Sequence, residues 1–358
     1  MVIGRQLSVV SRLGALLFLA SCAATTSTAP ISLEPVEFDD LPAWQQCNPD
    51  AALDAFKQSC RKFSSHPHTI PAQVAGEDAS PLAWNNACLL AENTEDADSF
   101  FTTHFTPYLA LAEDSREDGL LTGYYEPLLH GSLTPDATYR YPIWSVPSDL
   151  QAGVPYLTHR EIDEQRLAGK ATPLLYVSDY VDHFFLQIQG SGIVQLPDGE
   201  KVKVAFAGKN NRAYTAIGKY LMDNNIVPRS EMSAPRLKAW LRANPEEAQQ
   251  VMWMNESYVF FQMGDNATAA VGAQGVPLTP EASIAVDPTM LPYGVPVLLD
   301  TTLPYTNEKY RRLVVTQDTG GAIKGPLRAD LFFGPGERAA HLAGGMKQSA
   351  KFFVLLPK

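Results

Sequence analysis

The chain is poor in the features that mark several large protein classes. Its 358 residues include only four cysteines, Cys22, Cys47, Cys60 and Cys88, and none is spaced as in a zinc site. No HExxH motif occurs, and of seven histidines only His66 and His68 lie close together, in a proline-bearing loop, so no metal centre is expected. Lys and Arg number 28 against 39 Asp and Glu, giving a net charge of −11 with no basic block. That balance argues against nucleic acid and other polyanions as partners. Beyond the N-terminus no run is long and apolar enough to cross a bilayer. A phosphate loop is missing too. In "GGAIKG" Pro326 follows Gly325, and no helix pattern opens there as a Walker loop requires. Gly190-Ser191-Gly192 fits neither a dinucleotide fingerprint nor a nucleophile elbow, and reads as a strand end or a place where a ligand meets backbone. Nothing in the residues calls for a cofactor.

What is present begins with an export signal. "MVIGRQLSVVSRLGALLFLASC" has basic Arg5 and Arg12, then the short apolar run Leu13–Ala20, and reads as a signal peptide over residues 1–21. "LASC" is similar to a bacterial lipobox, which makes Cys22 the lipidated residue; the alternative is a soluble exported protein with an incidental Cys22. Several acyl chains give stable anchoring where one does not. Ala23 and Ala24 follow with no aspartate, which favours the outer membrane, with the protein facing the periplasm. Residues 22–38 are small, polar and proline-bearing, and read as a flexible tether. Export permits a disulfide, and an odd count of three remaining cysteines leaves one thiol over. Cys60–Cys88 is the preferred pair; three reduced, packed thiols are the alternative.

The mature length of about 320 residues suggests two domains. Residues 41–115 read as helical. "AALDAFKQSCRKF" puts Leu53, Phe56, Cys60 and Phe63 on one face, and "ADSFFTTHFTPYLALA" continues in kind. "GLLTGYYEPLLHGS" reads as a strand running into an extended segment. "LTHREID" carries a capping box, Thr158 with Glu161. "HFFLQIQG" alternates, with Phe184, Leu186 and Ile188 on one side and Phe185, Gln187 and Gln189 on the other, and reads as a strand. "VQLPDGEKVKVAF" predicts a hairpin turning at Asp198–Gly199. "NRAYTAIGKYLMDN" and "SAPRLKAWLRANPEEAQQVMW" predict helices, the latter restarting at Asn244–Pro245. From about 255 onward, "YVFFQM", "ASIAVD", "VPVLLD", "RRLVVT" and "KFFVLLP" are strands between Pro- and Gly-rich turns, which suggests a compact β-barrel. The fold class is mainly β with peripheral helices, α+β.

Three carboxylates sit in the last region. Asp330 lies among Ala329, Leu331, Phe332 and Phe333, and a carboxyl in apolar surroundings keeps its proton to higher pH. Asp318 stands beside Thr319, Gly320 and Gly321, whose backbone N–H groups are expected to hold it ionised. Asp287 follows a strand in "SIAVDPTMLPYG". Carboxyls whose environments push their pKa values apart suit acid catalysis, while Asp before Gly or Pro is also ordinary turn chemistry. Carbohydrate suits the remaining features, because sugars present hydroxyls to amides and apolar faces to rings. Candidates are Thr122, Gly123, Tyr124, Tyr125 and Glu126 in "LTGYYEP", Gln187 and Gln189, and Asn210, Asn211 and Tyr214 in "AGKNNRAY".

Taken in order, "LTGYYEP", "QIQGSG", "AGKNNRAYTAIGKYL", "NESYVFF", "IAVDPTMLPYG" and "QDTGGAIKGPLRADLFFG" resemble the membrane-bound lytic murein transglycosylase A family from about residue 120 to the end. The resemblance implies a double-psi β-barrel domain, 39–127 plus 253–358 with N-terminal helices, and an inserted β-rich substrate-binding domain, 128–252. A groove between them would hold peptidoglycan glycan strands. It implies Asp330 as the single catalytic acid/base, with Asp318 and Asp287 in support, and Lys324 as a structural pair or a substrate contact. The implied reaction cuts the β-1,4 bond between N-acetylmuramic acid and N-acetylglucosamine without water, leaving 1,6-anhydromuramyl ends. A non-catalytic peptidoglycan-binding lipoprotein and a true hydrolase using Asp330 with Asp318 or Glu126 are the competing readings. Protein partners among cell-wall synthesis or division proteins are not readable from the residues.

Overall fold

The computed structural model describes residues 31–264 and 270–358. The signal peptide, Cys22 and most of the expected tether lie outside the described residues. The first part runs β1 (Ser32–Pro35), α1 (Pro49–Ser65), a small hairpin β2 (Gln73–Val74) and β3 (Glu77–Asp78), α2 (Pro81–Glu92), α3 (Ala97–His104), β4 (Phe105–Leu111) and β5 (Asp118–Glu126). The middle runs β6 (Leu128–Ser132), β7 (Tyr141–Trp144), α4 (His159–Asp163), β8 (Pro173–Val177), α5 (Tyr180–Gln189), β9 (Gly192–Gln195) and β10 (Lys201–Lys209). It continues with α6 (Ile217–Asp223), α7 (Ala234–Ala243), α8 (Pro245–Trp253) and β11 (Val259–Gly264). The last part is β12 (Ser283–Val286), β13 (Pro296–Thr302), β14 (Lys309–Asp318), β15 (Arg328–Pro335), α9 (Glu337–Gly345) and β16 (Lys347–Pro357).

The larger sheet has the order β1-β4-β16-β13-β14-β12-β15-β5, and β5 pairs again with β16. Six strands, β16-β13-β14-β12-β15-β5, thus close into a ring, which removes their free edges. The 11-residue length of β16 makes the closure work: Lys347–Lys351 pair with β5, and Phe353–Pro357 pair with β4. β12 and the first half of β13 are covered on both faces, so Ser283–Val286 and Pro296–Leu299 are buried without interruption and read as continuous apolar runs. Outside, α1 presents Ala52, Leu53, Phe56, Cys60 and Phe63 to the core. Phe56 packs on Trp84, Phe100, Phe101 and Phe105 with ring centroids 5.6–6.3 Å apart. A disulfide joins Cys60 of α1 to Cys88 of α2, and among the described residues Cys47 is the one free thiol, and it is buried.

The second sheet, β11-β10-β9-β6-β8-β7, belongs to the inserted part. Its β9–β10 hairpin turns at Asp198–Gly199, with Gly199 at φ 90°. The Thr158–Glu161 capping box opens α4.

Four expectations change. Residues 32–35, assigned to the tether, form β1 on β4, because Leu33 has a buried place there. The stretch 41–115 is not helical throughout: α3 ends at His104, and the chain continues as β4, whose neighbours β16 and β1 supply the pairing. β11 pairs with β10, so the small sheet reaches Gly264, past the expected boundary at 252. "HFFLQIQ" is helical, within α5. Asp179 caps it by accepting from the Asp182 N–H, and Gly190 ends it at φ 78°. Val181, Phe184 and Phe185 then face Ile217, Leu221, Leu237 and Leu241 of the neighbouring helices. Over so short an apolar run the two periods overlap, and packing chose the helix.

Candidate active site

Four adjacent strands of the ring carry the site. On β15, Asp330 is in register with Thr122 of β5 on one side and with Ala285 of β12 on the other, and Ala285 is in register with Asp318 of β14. The row is therefore Asp318, Ala285, Asp330, Thr122. Strand spacing puts the two aspartate backbones roughly 10 Å apart, with only an alanine methyl between. Asp287 stands just past the end of β12. The three carboxylates, 43 positions apart from first to last in sequence, meet because β12 lies between β14 and β15.

Each carboxylate has a different environment. Asp287 is buried, which alone would raise its pKa. The Gly325 N–H at 2.9 Å, the Thr289 hydroxyl at 2.8 Å and the Thr289 N–H at 3.1 Å outweigh that, with Lys324 adding to them, and hold it below the usual carboxylate range. Asp318 accepts three bonds: from Tyr124 O–H (2.8 Å), Ala273 N–H (2.8 Å) and Thr319 N–H (2.9 Å). Burial nevertheless dominates and pushes its pKa up. The expectation that backbone N–H groups hold it ionised is corrected in that sense: the donors are there, but the dry surroundings outweigh them. Asp330 is pushed up to about 6 by burial, against the Thr122 hydroxyl and the Arg328 charge, with Asp318 pushing further in the same direction. The Thr122 hydroxyl donates to its Oδ1 at 2.7 Å, and among the described residues no hydrogen-bond partner reaches its Oδ2. Such a carboxyl can give a proton and take one back near neutral pH.

The other candidates divide. Tyr124 belongs to the site: its phenol bonds Asp318, and its ring lies 5.2 Å from Phe332, its register partner. Gly123 is a packing position, since a Cβ there would meet the Phe333 ring at 2.6 Å and the Ala343 backbone at 2.9 Å. Tyr125 sits at the junction of the two sheets, where its N–H donates to Gln189 Oε1 and its hydroxyl accepts from Lys238. Glu126 is buried in an ion pair with Lys203 of β10 at 3.0 Å, tying the ring to the small sheet. Gln187 is buried within the small part, accepting from the Val259 N–H, and no longer shares a face with Gln189 once both are helical. Asn210 is fully buried and holds four backbone groups on three segments. It donates to Leu157 and Glu256 carbonyls and accepts from the Tyr258 and Arg212 N–H groups. Asn211 ties Gln151 and Val154. Gly190 caps α5, Ser191 is half-buried, and Gly192 packs where a Cβ would meet Leu186 at 2.6 Å. Tyr214 is exposed, and Lys324 is exposed with its Nζ 3.9 Å from Asp287.

Sequence reasoning passed over Arg328. Two positions before Asp330 on one strand, it shares the same face by the period of two, and its Nη2 donates to Thr122 at 2.9 Å. The Ala273 N–H on Asp318 had no sequence signal, being backbone brought in by a loop. A hollow of about 290 Å³ lined by Leu89, Leu90, Phe100 and His104 among others lies between α2 and α3, and none of the aspartates lines it.

Fold and site define a class: a closed barrel carrying three aspartates, with an inserted second sheet. The family models match accordingly, the MltA specific insert domain over residues 120–262 and the 3D domain over 282–356. Membrane-bound lytic murein transglycosylase A of Vibrio cholerae is 36% identical over 250 residues, which cover 68% of this chain and 66% of that protein, just under two thirds of its length. The lytic transglycosylase LtgG of Burkholderia pseudomallei is 39% identical, with 93% of this chain and 98% of that one covered and a TM-score of 0.62. The structure of Escherichia coli MltA with bound chitohexaose is 26% identical, covers 92% and 95% of the two chains, and has a TM-score of 0.69. The chain belongs to the MltA family of lytic murein transglycosylases.

Proposed function

We propose that the protein is a peptidoglycan lytic transglycosylase with Asp330 as its one acid/base. The observation that supports this most is the contrast among the carboxylates. Asp287 and Asp318 each accept three hydrogen bonds. Asp330, pushed up to about 6, accepts one, and among the described residues its Oδ2 has no hydrogen-bond partner. An ordinary glycosidase needs two working carboxyls. Here the nucleophile is the six-hydroxyl of the N-acetylmuramic acid ring itself. Protonated Asp330 gives its proton to the glycosidic oxygen as the C1–O bond breaks. The resulting carboxylate then takes the proton from the six-hydroxyl as the C1–O6 bond closes. Holding the nucleophile within the substrate supplies the entropic advantage of an intramolecular reaction, so one carboxyl serves twice.

Asp318, with Tyr124 bridging to it, would order the floor of the site and stabilise positive charge developing on the ring. The protein would bind a glycan strand, a reading supported by the chitohexaose complex of the Escherichia coli relative, and the strand would lie between the ring and the small sheet. Anchoring through Cys22 to the outer membrane, facing the periplasm, follows from the lipobox and agrees with the name of the Vibrio cholerae relative, which is membrane-bound. Mass spectrometry of digested sacculi tests the reaction. The wild type is expected to release anhydro-muropeptides and Asp330→Asn to lose at least about 100-fold in rate. Reducing ends would mean a hydrolase, and no products a binding protein; either outcome removes the proposal.

A further inference from the structure

We infer that Arg328 and Thr122 together choose which oxygen of Asp330 carries the acid proton, confining it to Oδ2. The inference rests on the transglycosylase reading above and goes further, assigning a positioning pair to the reaction. It follows from counting protons. An arginine guanidinium can only donate, so Thr122 Oγ1, 2.9 Å from Arg328 Nη2, is the acceptor of that bond. A threonine hydroxyl owns one proton, and the only acceptor it reaches among the described residues is Asp330 Oδ1 at 2.7 Å. Oδ1 is then an acceptor in both protonation states of the carboxyl. The proton that moves during the reaction is left to Oδ2, the oxygen without a partner among the described residues. A carboxyl with no such relay would divide its proton between two oxygens, and half its acid form would present the wrong one.

The relay is anchored where the strands hold it. Thr122 and Asp330 are register partners across β5 and β15, and Arg328 also donates to the carbonyls of Ala329 and Leu120. Among the described residues the charged and titratable groups around Asp330 are few. They are Arg328 on its own strand, Tyr124 on β5 and Asp318 at the end of β14. The β12 partner is Ala285, and the exposed Lys347 of β16 is in register with Thr122.

The test reads the proton directly. Protein carrying carbon-13 in its aspartate carboxyls is titrated by NMR, with the Asp330 resonance assigned by its loss in Asp330→Asn. Thr122→Val removes a donor that favours the carboxylate, so Asp330 is expected to titrate about one pH unit higher. Its kcat is expected to fall about twofold with KM near wild type, because half the acid form then presents the wrong oxygen. Arg328→Met should move the titration in the same direction, and Thr122→Ser should restore both readouts. A Thr122→Val protein that titrates and cleaves like wild type overturns the inference. So does an Arg328→Met protein with an unmoved titration, or a loss of rate that Thr122→Ser does not rescue. If the titration moves as expected but wild type releases no anhydro ends, the positioning pair stands and the transglycosylase reading falls.

Discussion

Burying a carboxyl has a thermodynamic cost that one substitution exposes. Asp330 is displaced from 3.8 to about 6, chiefly because burial disfavours its charged form. A carboxyl raised in the folded state binds its proton longer there than in the unfolded chain. The contribution of Asp330 to stability is therefore greatest below pH 3.8 and is lost as pH rises through 6, beyond which both states are ionised. At about 1.4 kcal/mol per pKa unit the full loss is roughly 3 kcal/mol. Asp330→Asn keeps the shape and the Oδ1 acceptor for Thr122 but carries no charge at any pH. The variant should therefore gain on wild type by roughly 2–3 kcal/mol between pH 4 and pH 7.5, while losing activity. Urea unfolding of both proteins at the two pH values measures it, and every group titrating alike in both cancels from the difference. A stability difference that is flat across that range, or that grows toward low pH, would show that Asp330 is not held in dry surroundings and would refute the reasoning.

Two further outcomes follow from buried groups elsewhere. Burial, with neighbouring His159 and against Asp163, pushes His183 of α5 down to about 4, so the native state keeps it neutral while the unfolded chain takes a proton below about 6.5. That part of the stability is present above pH 6.5 and is lost as pH falls, by about 2 kcal/mol at pH 5; a His183→Gln protein should show a shallower acid loss in urea unfolding from pH 7 to pH 5. Gly123→Ala places a methyl against the Phe333 ring and the α9 backbone at Ala343, and should destabilise by about 1–3 kcal/mol in thermal unfolding; stability equal to wild type would remove the steric argument.

Much of the fold was legible because local chemistry and packing agreed. The ring strands β12, β13, β14 and β16 are apolar runs ended by turns, the Thr158–Glu161 box opens its helix, and the Asp198–Gly199 turn closes its hairpin. Reading failed where one pattern served two periods, as in α5, or where polarity was taken for exposure. Asn210, Gln187 and Glu126 look like ligand-facing groups in sequence, yet each is buried against a backbone or charged partner from a distant segment. A polar side chain has the same composition signal in a groove and in a core; only the location of its partner tells them apart.

By itself the sequence determined that Asp330 has apolar neighbours along the chain and that the three aspartates fall in its last region. Tertiary structure alone decided which of the three carboxyls has an oxygen without a partner among the described residues. Strand order places Thr122, from more than 200 positions upstream, beside Asp330, and brings Tyr124 and the Ala273 N–H onto Asp318. Hydrogen bonds and burial act over a few ångströms of space, and separation along the chain does not report those distances.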